Sequence, residues 1–301
     1  MLFNHMDIQK VLSNSRLTRA VLGVTKQEFE SLLKTFEQIL FEYRTNKKRQ
    51  RKIGGGRIGR IKSAENKLFF ILWYLKVYPT FDVAAYVFNS SKTKTHVWVH
   101  NILPLLELTL GRKVVLPKRR ISSPEEFLTM FPCMKEVMLD GVERPTIRSR
   151  KPKTQNKHYS GKKKRHTRKN LVLVNNKKTI LLLTPTKHGK VHDKKLSDKN
   201  ILASRIPEEV SLIVDTGFQG VQKQHENTFI PKKRPRGDKE LTDYEKSLNG
   251  LISSTRIVVE HAIGGMKRFG AASHIFRNKN GLDDKFMNIC AGLWNLHIQM
   301  S

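Results

Sequence analysis

Asp140, Asp215 and Glu260 are the acids of this chain best placed for reaction chemistry. Asp140 closes the apolar run "VMLD" and precedes Gly141, while Asp215 closes "LIVD" and precedes Thr216 and Gly217. An acid that ends an apolar run before a glycine turn sits at the rim of a sheet, where α/β folds gather their ligands. Asp also ends strands simply because it favours turns, so each acid taken singly has that plainer reading. Glu260 is the single acid in "STRIVVEHAIGGMKRF" (254–269). At about 100° per residue, Val258, Val259, Ala262, Met266 and Phe269 share one arc, with Arg256, Glu260 and Lys267 beside it. An ordinary amphipathic helix with an Arg256–Glu260 ion pair explains the same pattern. Three convergent carboxylates in a strongly basic chain would instead bind divalent metal facing phosphate. Magnesium takes a few carboxylates and keeps its waters. Two such ions about 4 Å apart can activate an attacking oxygen and stabilise a leaving one.

The elements that would hold these acids follow from pattern. "EVMLD" (136–140), "NLVLVNN" (170–176), "TILLLTPT" (179–186) and "SLIVD" (211–215) are short Val/Ile/Leu-rich runs with turn-prone flanks, the pattern of buried strands. "HDKKLSDKNILAS" reads as a helix before the fourth run, "TFIP" as a weak strand after it, and helices follow from about 242. This order predicts a mixed α/β sheet covered by helices. In front of it, residues 7–45 read as helical, "RTNKKRQRKIGGGRIGRIK" as a basic turn or linker, and "SAENKLFFILWYLKVYP" as a helix capped by Ser63. "TFDVAAYVFNSSKTKTHVWVHNILPLL" outlines a helix-turn-helix near 80–103: a first helix at about 82–88, a turn at "NSS", and a second helix with Lys92, Lys94 and His96 near its start. Such a helix can enter the major groove N-terminus first. Asn89 is an acceptable residue for a left-handed turn backbone. Two ordinary helices can produce the same outline.

Charge narrows the partner. The 301 residues carry 57 Lys+Arg against 26 Asp+Glu, a formal net charge of +31, and such a chain seeks a polyanion. With 38% hydrophobic residues it can also build a core. No run is long enough to span a bilayer and no export signal opens the chain. Cys133 and Cys290 lack metal spacing and read as free thiols in a reducing compartment. Residues 148–169 hold eleven Lys/Arg and no acid. A run like that is ordinarily a solvated tail; set between strands, it reads here as a DNA-tracking loop or hairpin. "PKKRPRG" (231–237) reads as phosphate contacts, Glu143 as a solvated turn acid, and Asp193 as the cap of the next helix.

The motifs "LDGVERP", "YSGKKKRHTRKNLVLV", "HGKVHD", "VDTGFQG" and "RIVVEHAIGGMKRF", in this order, resemble the DDE transposases of the bacterial insertion sequence five type. "GGGRIGRI…LWYLKVYPT" and the helix-turn-helix are also similar. The resemblance implies an α/β, ribonuclease H-like catalytic domain at 116–301, preceded by an all-α DNA-binding region at 1–115. It implies a metal-binding catalytic triad of Asp140, Asp215 and Glu260 holding two Mg²⁺, with Mn²⁺ able to substitute. Arg256 and Lys267 would contact DNA or orient the strand near the scissile bond. Lys92, Lys94, His96, Lys162, Lys163, Lys164 and Arg165 would be further DNA contacts. The implied activity is binding of terminal inverted repeats in double-stranded DNA, followed by cleavage and strand transfer, by a homodimer or larger assembly in the bacterial cytoplasm, at the nucleoid. Two positions depart from the family pattern: Ser253 stands where a tyrosine is usual and Val142 where a threonine is. A catalytically inactive, repurposed DNA-binding protein, an RNA-binding protein and a nuclease without joining activity are the other readings.

Overall fold

The computed structural model describes residues 6–46, 60–234, 240–278 and 281–301. Most of the basic glycine-rich stretch (47–59) and the end of "PKKRPRG" (235–237) lie outside the described residues. The chain divides into two compact units.

The first unit holds the residues up to Leu116, together with 267–273 and 295–301. It is built from α1 (Ile8–Ser13), α2 (Ser15–Leu22), α3 (Lys26–Thr45), α4 (Ala64–Val77), α5 (Phe81–Val87) and α6 (Lys92–Arg112). Residues 7–45 therefore form three helices rather than one block, because capping side chains interrupt them. Asn14 Oδ1 accepts from Leu17 N–H to start α2, and Gly23 ends that helix in the left-handed conformation at φ 74°. Thr25 and Glu28 then form a reciprocal capping box on α3. Ser63 caps α4, whose residues Leu68–Leu75 are all buried, as befits a helix that is apolar all round. Asn89 takes φ 45° and turns the chain between α5 and α6. Thr95 ties that turn down, its Oγ1 donating to Phe81 O at 3.1 Å.

The second unit, Pro117–Met266 with His274–Trp294, contains the sheet. Its elements begin with α7 (Pro124–Met130), β1 (Glu136–Pro145), α8 (Pro152–His158), β2 (Tyr159–Ser160) and β3 (Arg165–Asn175). They continue with β4 (Ile180–Leu183), β5 (Lys187–His188), α9 (Asp193–Lys199), β6 (Ser211–Val214) and β7 (Thr228–Phe229). The helices α10 (Asp243–Lys267), α11 (Gly270–Ser273) and α12 (Leu282–Met300) complete the chain. The sheet runs β2-β3-β1-β6-β7, and β4 and β5 also pair with β3. β1 and β3 are antiparallel, as are β3 and β4, whereas β6 lies parallel to β1 and β7 parallel to β6. Three antiparallel strands followed, after a helix, by parallel strands on the other side of the first is the ribonuclease H-like arrangement. Val137, Leu139, Leu171, Leu173, Leu212 and Val214 form its core with Phe127, Leu196 and Phe218. β1 runs five residues beyond the apolar segment that marks it in the sequence, and β3 starts five residues before its own. Both extensions pair with each other, Glu143 opposite Lys169 and Arg144 opposite Arg168, so charged residues complete the longest ladder. The basic run is accordingly structured: α8, then the hairpin from Tyr159 to Arg165.

Candidate active site

The register of β1 and β6 brings two acids together. Leu139 pairs with Val214 in parallel, so the next residues, Asp140 and Asp215, lie side by side on neighbouring strands and face the same way. Each carboxylate is braced by the backbone N–H of the residue that follows it. Asp140 Oδ1 accepts from Gly141 N–H and Asp215 Oδ1 from Thr216 N–H, both at 2.6 Å. Arg256, from α10, reaches both: Nη2 lies 3.3 Å from Asp140 Oδ2 and Nη1 3.8 Å from Asp215 Oδ1. Lys162, at the tip of the hairpin, stands 3.8 Å from Asp215 Oδ2.

Burial raises the Asp140 carboxyl above its ordinary range. The Asp215 and Asp193 carboxylates push it the same way, while Gly141 N–H and Arg256 oppose them. Concentrated negative charge in a partly desolvated setting marks a functional site.

A second layer holds the backbone behind these acids. Lys169 of β3 is buried, and its ammonium meets Asp193 Oδ1 at 2.9 Å, Glu143 Oε1 at 3.1 Å and Val191 O at 3.0 Å. Glu143 also accepts from Thr167 Oγ1 at 2.6 Å. Burial alone would raise the Glu143 carboxyl, yet Thr167, Lys169 and Ser160 hold it below its ordinary value. Asp193 in turn lies against Gly141: a Cβ there would come within 2.7 Å of Asp193 Oδ1. This packing explains the glycine after Asp140, whose usual turn role is absent inside a continuing strand.

Two expectations are corrected here. Glu143 is no solvated turn acid but 8% exposed and ion-paired, because β1 carries on past Gly141. Asp193 does not cap α9; His192 occupies the cap position without a side-chain bond, and Asp193 is the first helical residue, turned to Lys169. Lys169 was not singled out from the sequence, where it is one of eleven basic residues. Its signal was strand parity, a lysine adjoining the apolar run "NLVLV".

Glu260 lies one turn after Arg256 on α10, exposed. Among the described residues no group of three His, Cys, Asp or Glu side chains is close enough to hold one ion, so Asp140, Asp215 and Glu260 do not meet at a single point. Lys267 is the last residue of α10. The hairpin residues Lys162, Lys163, Lys164 and Arg165 are exposed, and Lys164 makes the turn at φ 51°. In the first unit Lys92 and Lys94 are exposed in the first turn of α6, Lys92 paired with Asp82 at 3.1 Å. The His96 ring packs on Phe81 and His100, 5.1 and 4.3 Å between centroids.

A ribonuclease H-like sheet with one acid midway along its first core strand and another directly after its fourth, preceded by a helix-turn-helix, defines the class of DDE nucleic-acid endonucleases. Residues 139–295 match the model of the DDE superfamily endonucleases, and residues 60–112 that of the helix-turn-helix of DDE superfamily endonuclease; the chain belongs to this family. It is 26% identical over 296 residues to the "Probable transposase for insertion sequence element IS702" of Microchaete diplosiphon, covering 98% of this chain and 99% of the relative. No solved structure gives a match. No described helix is long and apolar enough to cross a membrane.

Proposed function

We propose that this protein is a DNA transposase that binds the terminal inverted repeats of its insertion sequence and catalyses metal-dependent cleavage and strand transfer. The observation that carries this reading is the placement of Asp140 and Asp215 side by side on parallel strands, converging on one guanidinium. Two carboxylates that already share a cation have the donor chemistry that magnesium needs, since that ion is held by one or two carboxylates plus water and phosphate oxygens. Asp140 and Asp215 would hold the divalent ions, Mg²⁺ or Mn²⁺, with Glu260 completing the set from α10. The metal would supply Lewis-acid activation of the attacking oxygen and charge neutralisation at the phosphate.

The chain's own contribution is positioning. β1 and β6 fix the two acids in register, and Lys169 with Asp193 holds the backbone that follows them. Arg256 and Lys162 place positive charge where a scissile phosphate enters, Arg256 trading its carboxylate contacts for phosphate oxygens. A water cleaves the phosphodiester at the element's end, and the freed 3′-hydroxyl then attacks target DNA, displacing one of its phosphodiester oxygens. Residues 1–115 serve as the DNA-binding region and 116–301 as the catalytic domain, working as a dimer or larger assembly so that two ends are held together.

A second reading, a DNA-binding descendant that no longer cuts, takes its support from Ser253, which stands where the family pattern has a tyrosine. Labelled duplexes from both flanks of the gene, incubated with the protein and Mg²⁺ or Mn²⁺ and resolved on a sequencing gel, separate the two. The transposase gives discrete nicks at repeat ends and joined products. Asp215→Asn abolishes both, by at least about a thousandfold, and leaves end binding intact. Tight binding without any metal-dependent cut by the wild type establishes the second reading.

A further inference from the structure

We propose that the cavity beside Asp215 is a single-nucleotide subsite, which takes the nucleotide adjoining the scissile phosphate with its base unstacked from the duplex and laid on the Tyr159 ring. The inference rests on reading Asp140 and Asp215 as the cleavage site.

The cavity measures about 620 Å³, within the range of sites that enclose one small organic group. Its walls come from the β2–β3 hairpin, the loop before α9, the turn after β6, and Lys233. Asp215 is itself part of the wall, whereas Arg256 and Glu260 are not. A strand lying across the acid pair therefore has one neighbouring nucleotide at the cavity mouth.

The wall chemistry selects the occupant. Tyr159 is 43% exposed, with its ring set edge-to-face on His166 at 5.8 Å between centroids. Lys162, Lys190 and Lys233 are exposed amines of the same cavity. Its acids are Asp215 and Asp193, and Asp193 is neutralised by buried Lys169. A free phosphate would use the amines and leave the ring idle. An aromatic face with amines around it is the chemistry of a nucleotide: the base stacks and the phosphate is neutralised. The wall is also preformed. Tyr159 pairs with His166 across the hairpin, Ser160 Oγ accepts from Lys163 N–H at 3.2 Å, and Lys190 is anchored to Asn156 Oδ1 at 2.6 Å.

The test uses the full chain as Glu260→Gln, which binds but does not cut, on gene-flank duplexes whose cleavage position has been mapped with the wild type. 2-Aminopurine is placed at each of the two positions on either side of the cut, and binding is followed in parallel by gel shift. The expected result is a severalfold rise in fluorescence at one of these positions. Adding Tyr159→Ala returns it to the level of free duplex and weakens end binding roughly tenfold, whereas Tyr159→Phe keeps both. The proposal is overturned if bound complexes show no rise at any position, or if the rise persists undiminished with Tyr159→Ala. Absence of binding and cutting by the wild type, seen in the gel, overturns the active-site reading itself and this subsite with it.

Discussion

Lys169 shows how one buried charge organises the site. Its three acceptors use the whole ammonium, and two of them are acids from other parts of the chain, Glu143 on β1 and Asp193 on α9. Removing one partner of a buried pair leaves an uncompensated charge, at a cost of about 3–5 kcal/mol. Lys169→Met is therefore expected to lower the melting temperature sharply, read by circular dichroism, and to cut cleavage further by loosening Gly141. The pH dependence follows from Glu143. Its folded pKa lies below the ordinary 4.5, so the stability it contributes is present above that value and is lost as pH falls through the folded pKa. The melting-temperature gap between wild type and Glu143→Gln should hold at neutral pH and close below about pH 4.5; a gap unchanged in acid would refute this account. His158 adds a second acid-sensitive contribution. Burial and the neighbouring Arg168, His188 and His166 charges lower it from 6.5 to about 4, so the unfolded chain takes up a proton there that the folded one refuses. Stability falls as pH drops from 6.5 to about 4, and His158→Asn should flatten that slope in a pH series of melts.

At the scale of elements, α6 and the β2–β3 hairpin carry the exposed basic residues proposed for DNA. In α6, Ser91 Oγ accepts from Lys94 N–H and starts the helix with Lys92 and Lys94 in its first turn. Cations there oppose the helix dipole, a small cost that a DNA phosphate would offset. Replacing Lys92 and Lys94 together by alanine should weaken binding to repeat ends and to unrelated DNA alike if both touch phosphate. The slope of log affinity against log salt should then shrink by about two, one per lost contact. A loss confined to the repeat ends would show instead that one of them reads a base. The hairpin owes its shape to local chemistry: the left-handed Lys164 and the Lys163 N–H bond to Ser160 Oγ turn the chain so that Tyr159 and His166 fall into register.

At the scale of the molecule, the end of the chain belongs to the unit that its beginning builds. Glu28 is buried in α3; its Oε2 accepts from Thr25 N–H, and its Oε1 meets His297 Nδ1 at 2.6 Å. Asn295 Nδ2 donates to Val115 O at 2.9 Å, and Phe269 fills the space that the missing side chain of Gly23 leaves, 2.6 Å from where its Cβ would be. Residues 1–116 expressed alone should thus be unstable, with slow-exchanging amides in α3 and α4 lost. A protein shortened after Trp294 should melt in that unit first, because buried Glu28 loses its His297 partner, a deficit of about 1–3 kcal/mol. Hydrogen exchange on the shortened chain checks both; native-like protection in α3 and α4 would show that the returning segments are dispensable.

Local chemistry was enough for what depends on near neighbours. Apolar runs marked β3, β4 and β6, the Ser63 cap and the helical face of α4 followed from residue type, and Asn89 took the left-handed turn between α5 and α6. The acids at the ends of "VMLD" and "LIVD" were likewise visible, as was the basic balance of the chain. Only the tertiary structure set Asp140 beside Asp215, since the parallel register of β1 and β6 joins segments that share no local signal. It alone buried Glu143 and Lys169 as a cross-strand pair, turned Asp193 from cap to buried partner, and returned residues 295–301 to α3. The physical reason is common to all three. Periodicity and capping are written in spacings of two to four residues, whereas the partner of a buried charge is chosen by burial, which long-range pairing creates.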